Sequence, residues 1–277
     1  MEGNTMDIKQ SDFLQGFVRL TADAFRKGWH ERNGGNLSYR IRAEEIAVAE
    51  DSLHAPTEWL PIGNTVPELA DEYFLVTGSG KYMRNVELAP EENAAVIRVD
   101  ERGENYAIVW GLTKGGRPTS ELPTHLAAHE LKKRLSDGTN RVIYHAHPTN
   151  LIALTFVLPL EDKAFSRELW EMATEDPVIF PEGLGIVPWM VPGGKEIADA
   201  SVRLLEKYRA IVWAHHGLFV CGDDFDEAFG LMDTVEKASE ICVKVLSMGG
   251  KRQTIPKEGF LQLAKDFKID LNTAFLD

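Results

Sequence analysis

Cysteine is scarce in this chain. Cys221 and Cys242 are the only two in 277 residues, enough for one bridge at most, so no disulfide framework is possible and both are read as free thiols in a reducing compartment. Long apolar runs are also missing. No stretch approaches the roughly 18 residues that a membrane span needs, and residues 1–10 are polar, without the basic-then-apolar profile of a secretory signal. A cytoplasmic location with no membrane partner is expected, and the Asn36-Leu37-Ser38 glycosylation triplet is then incidental. The third shortage is positive charge: 30 Lys plus Arg stand against 43 Asp plus Glu, a formal net charge of −13. Such a surface repels nucleic-acid phosphate and anionic lipid, so no nucleic-acid partner is expected. A small anionic ligand would have to be held by local donors and a cation against that field.

What is present is ordinary globular composition, 44% hydrophobic and 26% charged, which excludes a disordered or fibrous chain. Length alone suggests roughly two domains. No linker, repeat or low-complexity tract divides residues 1–277, however, so a single mixed α/β domain fits better. Apolar residues at three- and four-residue intervals predict a helix over 11–29, and the Asn33-Gly34-Gly35-Asn36 run stops it. Strands are expected at 37–42, 72–77, 95–99 and 107–112, the last two as a hairpin. The acidic, proline-containing stretch 43–71 reads as an irregular surface insertion. Further on, helices are expected at 120–135, 160–172, 195–208, 224–248 and 256–267, with strands at 141–147, 210–216 and 218–221. The Pro/Gly-rich run 177–194 reads as short strands and turns.

The eight histidines are the most informative residues. In RVIYHAHP, His145 and His147 are two apart on a strand, so they leave the same face about 6.6 Å apart at a rise of about 3.3 Å per residue. Two imidazoles so placed can converge on a metal, although ordinary histidines on a half-polar face share the pattern. A third is sought at His215-His216, where another apolar strand ends. Adjacent residues point to opposite faces, so one of the two is expected to join. His216 is preferred, as it shares a face with Val212 and precedes Gly217. Three neutral nitrogen ligands with an open position describe a catalytic rather than a structural zinc site. His125 and His129 share a helical face at i, i+4, but Leu126 stands where HExxH requires Glu, so a metalloprotease is excluded and packing roles are expected. His30 and His54 carry no pattern and read as solvated.

Two glycine loops could present amides to a phosphate. Thr77-Gly78-Ser79-Gly80-Lys81 follows a strand and Asn33–Asn36 follows a helix, though either could be an empty turn. The first is not a Walker loop, because Leu75 occupies the position of its first glycine. Lys81 reads as a surface or phosphate-neutralising charge rather than a Schiff-base lysine. Ser120 fits the N-cap of the helix that follows, with Pro123 tolerated in the first turn. Glu121 is then either a helix-dipole partner, which spacing favours, or a rigidly placed functional carboxylate. Glu171 and Glu175 near a helix end read as solvated.

At these residues the chain resembles the class II aldolase/adducin family. KGWHERNGGNLS, FLVTGSGKYMRNV, PTSELPTH, RVIYHAHPTNLIALTFVL, VPWMVPG, HHGLF and TVEKASEICVKVLSMGG carry the likeness in order and spacing over nearly the whole chain; 43–71 is the least similar part. The resemblance implies a mixed, mainly antiparallel central sheet with helices on both faces and a homotetramer. It implies one zinc per subunit on His145, His147 and His216, with Glu121 as catalytic acid/base. Asn33, Asn36, Ser79, Gly80 and Ser120 would line the phosphate end of the substrate pocket. Glu175 is implied as an auxiliary carboxylate, in its own or a neighbouring subunit's site. The implied reaction is retro-aldol cleavage of a phosphorylated ketose. Fuculose-phosphate aldolases, pentulose-phosphate 4-epimerases using a related zinc-stabilised step, and non-catalytic adducin-like modules are the alternatives.

Overall fold

The structure, a computed structural model, describes residues 6–277; residues 1–5 of the polar N-terminal stretch lie outside it. Helix α1 (Asp12–Arg26) starts where the Ser11 hydroxyl accepts from Leu14 N at 3.4 Å, and it buries Phe13, Phe17, Leu20 and Ala24 along one face. After the NGGN turn come β1 (Asn36–Arg40), α2 (Ala43–Ala49), β2 (Leu60–Pro61) and β3 (Tyr73–Thr77). The short α3 (Pro90–Asn93) leads into the hairpin β4 (Ala94–Val99) and β5 (Asn105–Gly111). Helix α4 (Leu122–Leu135) crosses to β6 (Val142–Ala146), followed by α5 (Thr149–Leu154), α6 (Asp162–Trp170) and α7 (Asp176–Ile179). The chain then runs through β7 (Gly185–Val187), α8 (Lys195–Leu205), β8 (Ala210–Trp213), β9 (Gly217–Gly222), α9 (Phe225–Ser247) and α10 (Lys257–Phe267).

Among the described residues, nine strands form one sheet in the order β2-β5-β4-β3-β1-β6-β9-β8-β7. Every pairing is antiparallel except β7 with β8. Both faces are covered, as period-2 alternation shows. On β6, Val142, Tyr144 and Ala146 pack with α1 and α9, while Ile143 packs with α4 and α8. Likewise Ala210, Val212, Leu218 and Val220 face α9, whereas Ile211, Trp213, Phe219 and Cys221 face α8. His145 therefore shares the α4 face with Ile143. Asn36, Ser38 and Arg40 take that same face of β1, because Leu37 and Tyr39 belong to the α1 side. Burying a Val, Leu or Phe in such a core contributes about 1.5–3 kcal/mol each.

Several expectations are corrected. The stretch 43–71 is not irregular: it holds α2 and the edge strand β2, and it buries Ile62, Val66 and Leu69 against β3–β5. The helix expected at 160–172 is shorter, and residues 176–179 form a helical turn where only strands and turns were expected. Strand β8 stops at Trp213, so His215 and His216 lie in a turn. Among the described residues no helix is long and apolar enough to cross a membrane. Cys221 and Cys242 are free and buried.

Candidate active site

Three imidazoles from two places in the sheet meet at the end of β6. His145 is the fourth residue of β6, His147 follows its last residue, and His216 sits in the β8–β9 turn. One ring nitrogen from each lies within 4.8 Å of the others. His145 Nε2 and His216 Nε2 are 3.4 Å apart. Ligand atoms about 2.0–2.1 Å from a tetrahedral zinc stand about 3.3–3.4 Å from one another, so this spacing suits one ion. Two of the three remaining ring nitrogens are already occupied. His145 Nδ1–H donates to Leu218 O at 2.9 Å, and His147 Nδ1–H donates to Glu31 Oε1 at 2.7 Å. These bonds select the tautomers whose Nε2 lone pairs point outward, the usual support of a metal-bound histidine. His147 Nε2 is buried without any partner, the orphan that a bound cation would satisfy. Burial pushes His145 down and His216 down to about 4, so both rings are neutral at pH 7.

The surroundings explain how the chain brings them together. The Trp213 ring lies 4.7 Å from that of His145 and 5.2 Å from that of His216, held by an indole N–H donated to Ser201 Oγ at 2.9 Å. Gly217 leaves no room for a side chain: a Cβ there would sit 2.3 Å from Ala146 O and 3.0 Å from His147 Cδ2. Gly34 is equally confined, since its Cβ would lie 2.8 Å from Glu31 Oε1 and 2.9 Å from His147 Nδ1. His216 joins the group for a reason different from the one expected. Val212 faces α9, so strand alternation would have carried His216 away from His145. Instead, a left-handed residue at His215 (φ 61°) turns the chain and swings His216 onto the α4 side. His215 itself is anchored elsewhere, with its backbone N–H and Nδ1 both on Thr155 Oγ1 at 3.1 and 3.0 Å.

Glu121 stands at the start of α4, beside this group. Ser120 was expected to cap the helix; Glu121 occupies the N-cap instead, and Ser120 is exposed. The shift has a local cause. Thr119 is drawn to the end of β3 by Thr119 N donating to Thr77 O at 2.9 Å, and its hydroxyl accepts from Glu121 N at 3.2 Å. The Glu121 carboxylate makes no capping bond. It accepts from Asn36 Nδ2 at 2.8 Å, and Asn36 is the residue of β1 paired with His145. Burial raises the Glu121 pKa, against opposing pulls from Asn36 and His147. A buried carboxyl with a raised pKa beside a metal-type cluster suits proton transfer.

Both glycine loops converge on the same end of the sheet. Gly78 bridges to Pro118 and Ser79 N donates to Arg117 O at 2.8 Å, which lays the 77–81 loop against the entry to α4. Ser79 and Gly80 are exposed there, and so is Asn33 at the tip of the other loop. Asn36 differs, because its side-chain amide is engaged at both ends, by Glu121 and by His125. Glu175 is exposed at the N-terminus of α7, which packs on α9 and α10.

Residues 15–243 match the Class II Aldolase and Adducin N-terminal domain. The chain belongs to the class II aldolase family. Rhamnulose-1-phosphate aldolase of Mannheimia succiniciproducens is 49% identical over 263 residues, 95% of this chain and 97% of that protein. Its namesake from Yersinia pestis is 49% identical over 270 residues, 98% of each chain. Among solved structures, a sugar-phosphate aldolase from Thermotoga maritima superposes with a TM-score of 0.73 at 28% identity, covering 87% of this chain and 97% of that one. The fold is shared more distantly with L-fuculose-1-phosphate aldolase from Thermus thermophilus, at a TM-score of 0.57 and 20% identity over 87% and 98% of the chains. The expected family and sheet architecture are thereby established, and class II aldolases depend on a metal that the histidine group has the donors to hold.

Set against this family, other histidines need correction or gain a role. His30 is not solvated: it is buried, donates Nδ1–H to Gly34 O at 2.9 Å and accepts the Tyr144 hydroxyl at 2.8 Å, which pins the NGGN loop over the site. His54 is in an exposed position and bonds its neighbour Ala55 O. His125 and His129 are fully buried as packing residues, yet both rings meet Ser38 Oγ at 2.7 and 2.8 Å. Sequence reasoning missed Glu31, Ser38 and Trp213. Ser38 alone carried a signal, as it lies two residues from Asn36 on one strand face opposite the two-histidine face of α4.

Proposed function

We propose that the chain is a zinc-dependent lyase that reversibly cleaves L-rhamnulose 1-phosphate to dihydroxyacetone phosphate and L-lactaldehyde, acting in rhamnose catabolism in the cytoplasm. The convergence of His145, His147 and His216, with His145 paired across the sheet to the Asn36 that holds Glu121, carries this reading. The two relatives bearing the rhamnulose-1-phosphate aldolase name at 49% identity support the choice of sugar. One divalent ion per subunit on the three histidines, zinc by the all-nitrogen donor set, supplies Lewis-acid stabilisation for negative charge developing on the substrate oxygens.

The chain's own residues do the rest. When the C3–C4 bond breaks, its electron pair stays on the ketone fragment and the C4 hydroxyl gives its proton to solvent water as the aldehyde forms. Glu121 in its acid form delivers a proton to C3; in condensation its carboxylate removes that proton. Burial keeps the pKa of Glu121 raised toward the working range, as both roles require. Asn33, Asn36, Ser79, Gly80 and Ser120 line the phosphate end. Amides and hydroxyls of the two loops hold the dianion there, in a local patch that offsets a chain of net charge −13. Glu175 serves as an auxiliary carboxylate reaching the site of a neighbouring subunit in a homotetramer. Phe156, Val157, Trp189 and Val191 are exposed apolar residues available for that assembly.

A coupled assay for dihydroxyacetone phosphate tests the reading, run on L-rhamnulose 1-phosphate and L-fuculose 1-phosphate with and without chelator. Chelator-sensitive release from the rhamnulose ester, well above that from the fuculose ester, is expected. Release from the fuculose ester alone, or epimerised sugar without dihydroxyacetone phosphate, would replace it.

A further inference from the structure

A buried line of side chains runs from the core of α4 to the carboxylate of Glu121. His129 Nε2 lies 2.8 Å from Ser38 Oγ, Ser38 Oγ lies 2.7 Å from His125 Nδ1, His125 Nε2 bonds Asn36 Oδ1, and Asn36 Nδ2 donates to Glu121 Oε2 at 2.8 Å. Ser38, His125 and His129 are wholly excluded from solvent, and Asn36 and Glu121 nearly so.

The proton positions follow from what each atom can do. An ionised Glu121 only accepts, so Asn36 must present its NH2 to it and its carbonyl oxygen to His125. His125 Nε2 therefore carries the hydrogen, and its bare Nδ1 accepts the Ser38 O–H. Ser38 Oγ then accepts from His129 Nε2–H, which leaves His129 Nδ1 as a bare lone pair. That atom has no partner, the tolerable outcome for an acceptor. Reversing every bond would leave a buried N–H without a partner at the same place, the costlier error. Burial keeps both rings neutral, with His125 pushed down to about 3. The line thus has one favoured direction, with every donor aimed toward Glu121.

We infer that His125, Ser38 and His129 are positioning residues for proton transfer. They lock the Asn36 amide with its NH2 toward Glu121, which fixes Oε2, leaves Oε1 for the substrate, and favours the ionised form that removes the C3 proton. This inference rests on the assignment of Glu121 as acid/base in the proposed function. It accounts for why a helix interior should hold two fully buried imidazoles outside the His145–His147–His216 group.

Three variants of the zinc-loaded enzyme test it, with wild-type turnover as the separate check on the proposed reaction. His125→Leu removes the donor to Asn36 while filling the space; kcat should fall about 10- to 100-fold, the scale of lost support around a working group. KM and zinc per chain should stay within about twofold, and the acid limb of the kcat profile for condensation, where the Glu121 carboxylate removes the C3 proton, should move to higher pH. His125→Gln, which retains an N–H for Asn36, should recover most of the loss. Ser38→Ala, a smaller deletion, should show the same split if His125→Leu does not fold. In wild-type protein with 15N-labelled histidine, His125 and His129 should both be Nε2–H tautomers at pH 7, a readout independent of any substrate. A folded His125→Leu or Ser38→Ala enzyme with wild-type kcat and pH profile, equal losses in His125→Leu and His125→Gln, or an Nδ1–H tautomer at His125 would overturn the inference. A wild-type enzyme inactive on the sugar phosphate with the tautomers as stated would instead overturn the proposed reaction.

Discussion

Asn36 and His145 are partners across the β1–β6 ladder, and Asn36 also donates to Glu121 at 2.8 Å. A single pairing register thereby places the Glu121 carboxylate next to the metal-type histidines. One residue of slip would send Asn36 to the α1 side of the sheet and separate the two halves of the site.

Glu121→Gln should separate chemistry from stability. General acid–base help is typically about 10²–10⁴-fold, so turnover should drop on that scale while zinc content stays at the wild-type level. Burial raises the Glu121 pKa in the folded state, so its protonated form is stabilising at low pH and that contribution disappears as pH rises through the folded value. The amide should accordingly unfold at a higher temperature than wild type at pH 7, with the difference shrinking as pH falls and gone by about pH 4.5. Thermal melts at both pH values check this, and a lower melting temperature at pH 7 would contradict it.

Metal retention should depend on Glu31 as well as on the three histidines. His147→Ala should abolish stoichiometric zinc. Glu31→Gln, which weakens the acceptor of His147 Nδ1–H, should reduce zinc affinity about 10- to 100-fold without unfolding the chain. Competition against a chromophoric chelator measures this, and wild-type affinity in Glu31→Gln would remove Glu31 from the site.

Gly217→Ala introduces a methyl group 2.3 Å from Ala146 O and 3.0 Å from His147 Cδ2. The turn must shift, at about 1–3 kcal/mol, and His216 shifts with it. Denaturant unfolding and zinc content should both decline, whereas Gly230→Ala, with open space at its Cβ, should leave zinc unchanged.

Two buried histidines set part of the acid sensitivity. His30 and His125 are pushed down to about 4 and about 3 by burial, while unfolded histidine titrates at about 6.5. Between those values the unfolded chain binds more protons. Stability present at pH 7 is therefore lost as pH falls from about 6.5 toward 4, at about 1.4 kcal/mol per pH unit for each residue. Urea unfolding at a series of pH values should show this slope, and His30→Gln should flatten it; an unchanged slope would exclude His30.

Much of this was legible in the residues. The apolar runs at 72–77, 95–99 and 141–147 read directly as strands, and the two-residue spacing of His145 and His147 already aimed both rings one way. His216 does not occupy the strand face that alternation from Val212 predicts, since nothing local announces the left-handed conformation of His215 that redirects it. The N-cap moved from Ser120 to Glu121 because Thr119 is held by Thr77, a contact between segments far apart in sequence. His125 and His129 advertised a shared helical face, but their partner Ser38 is chosen by how α4 packs on β1. Burial of His30 likewise depends on Tyr144, and Glu31 becomes informative only once the NGGN loop folds back over His147.

The most direct measurement is exchange of solvent deuterium into the hydroxymethyl carbon of dihydroxyacetone phosphate, the former C3, with no aldehyde present. Zinc-loaded wild-type enzyme should exchange one of the two hydrogens stereospecifically and lose the reaction on chelation. Glu121→Gln with full zinc should exchange at least about 10²-fold more slowly. Exchange at the wild-type rate in that variant would contradict the assignment of Glu121 and, with it, the account of the site.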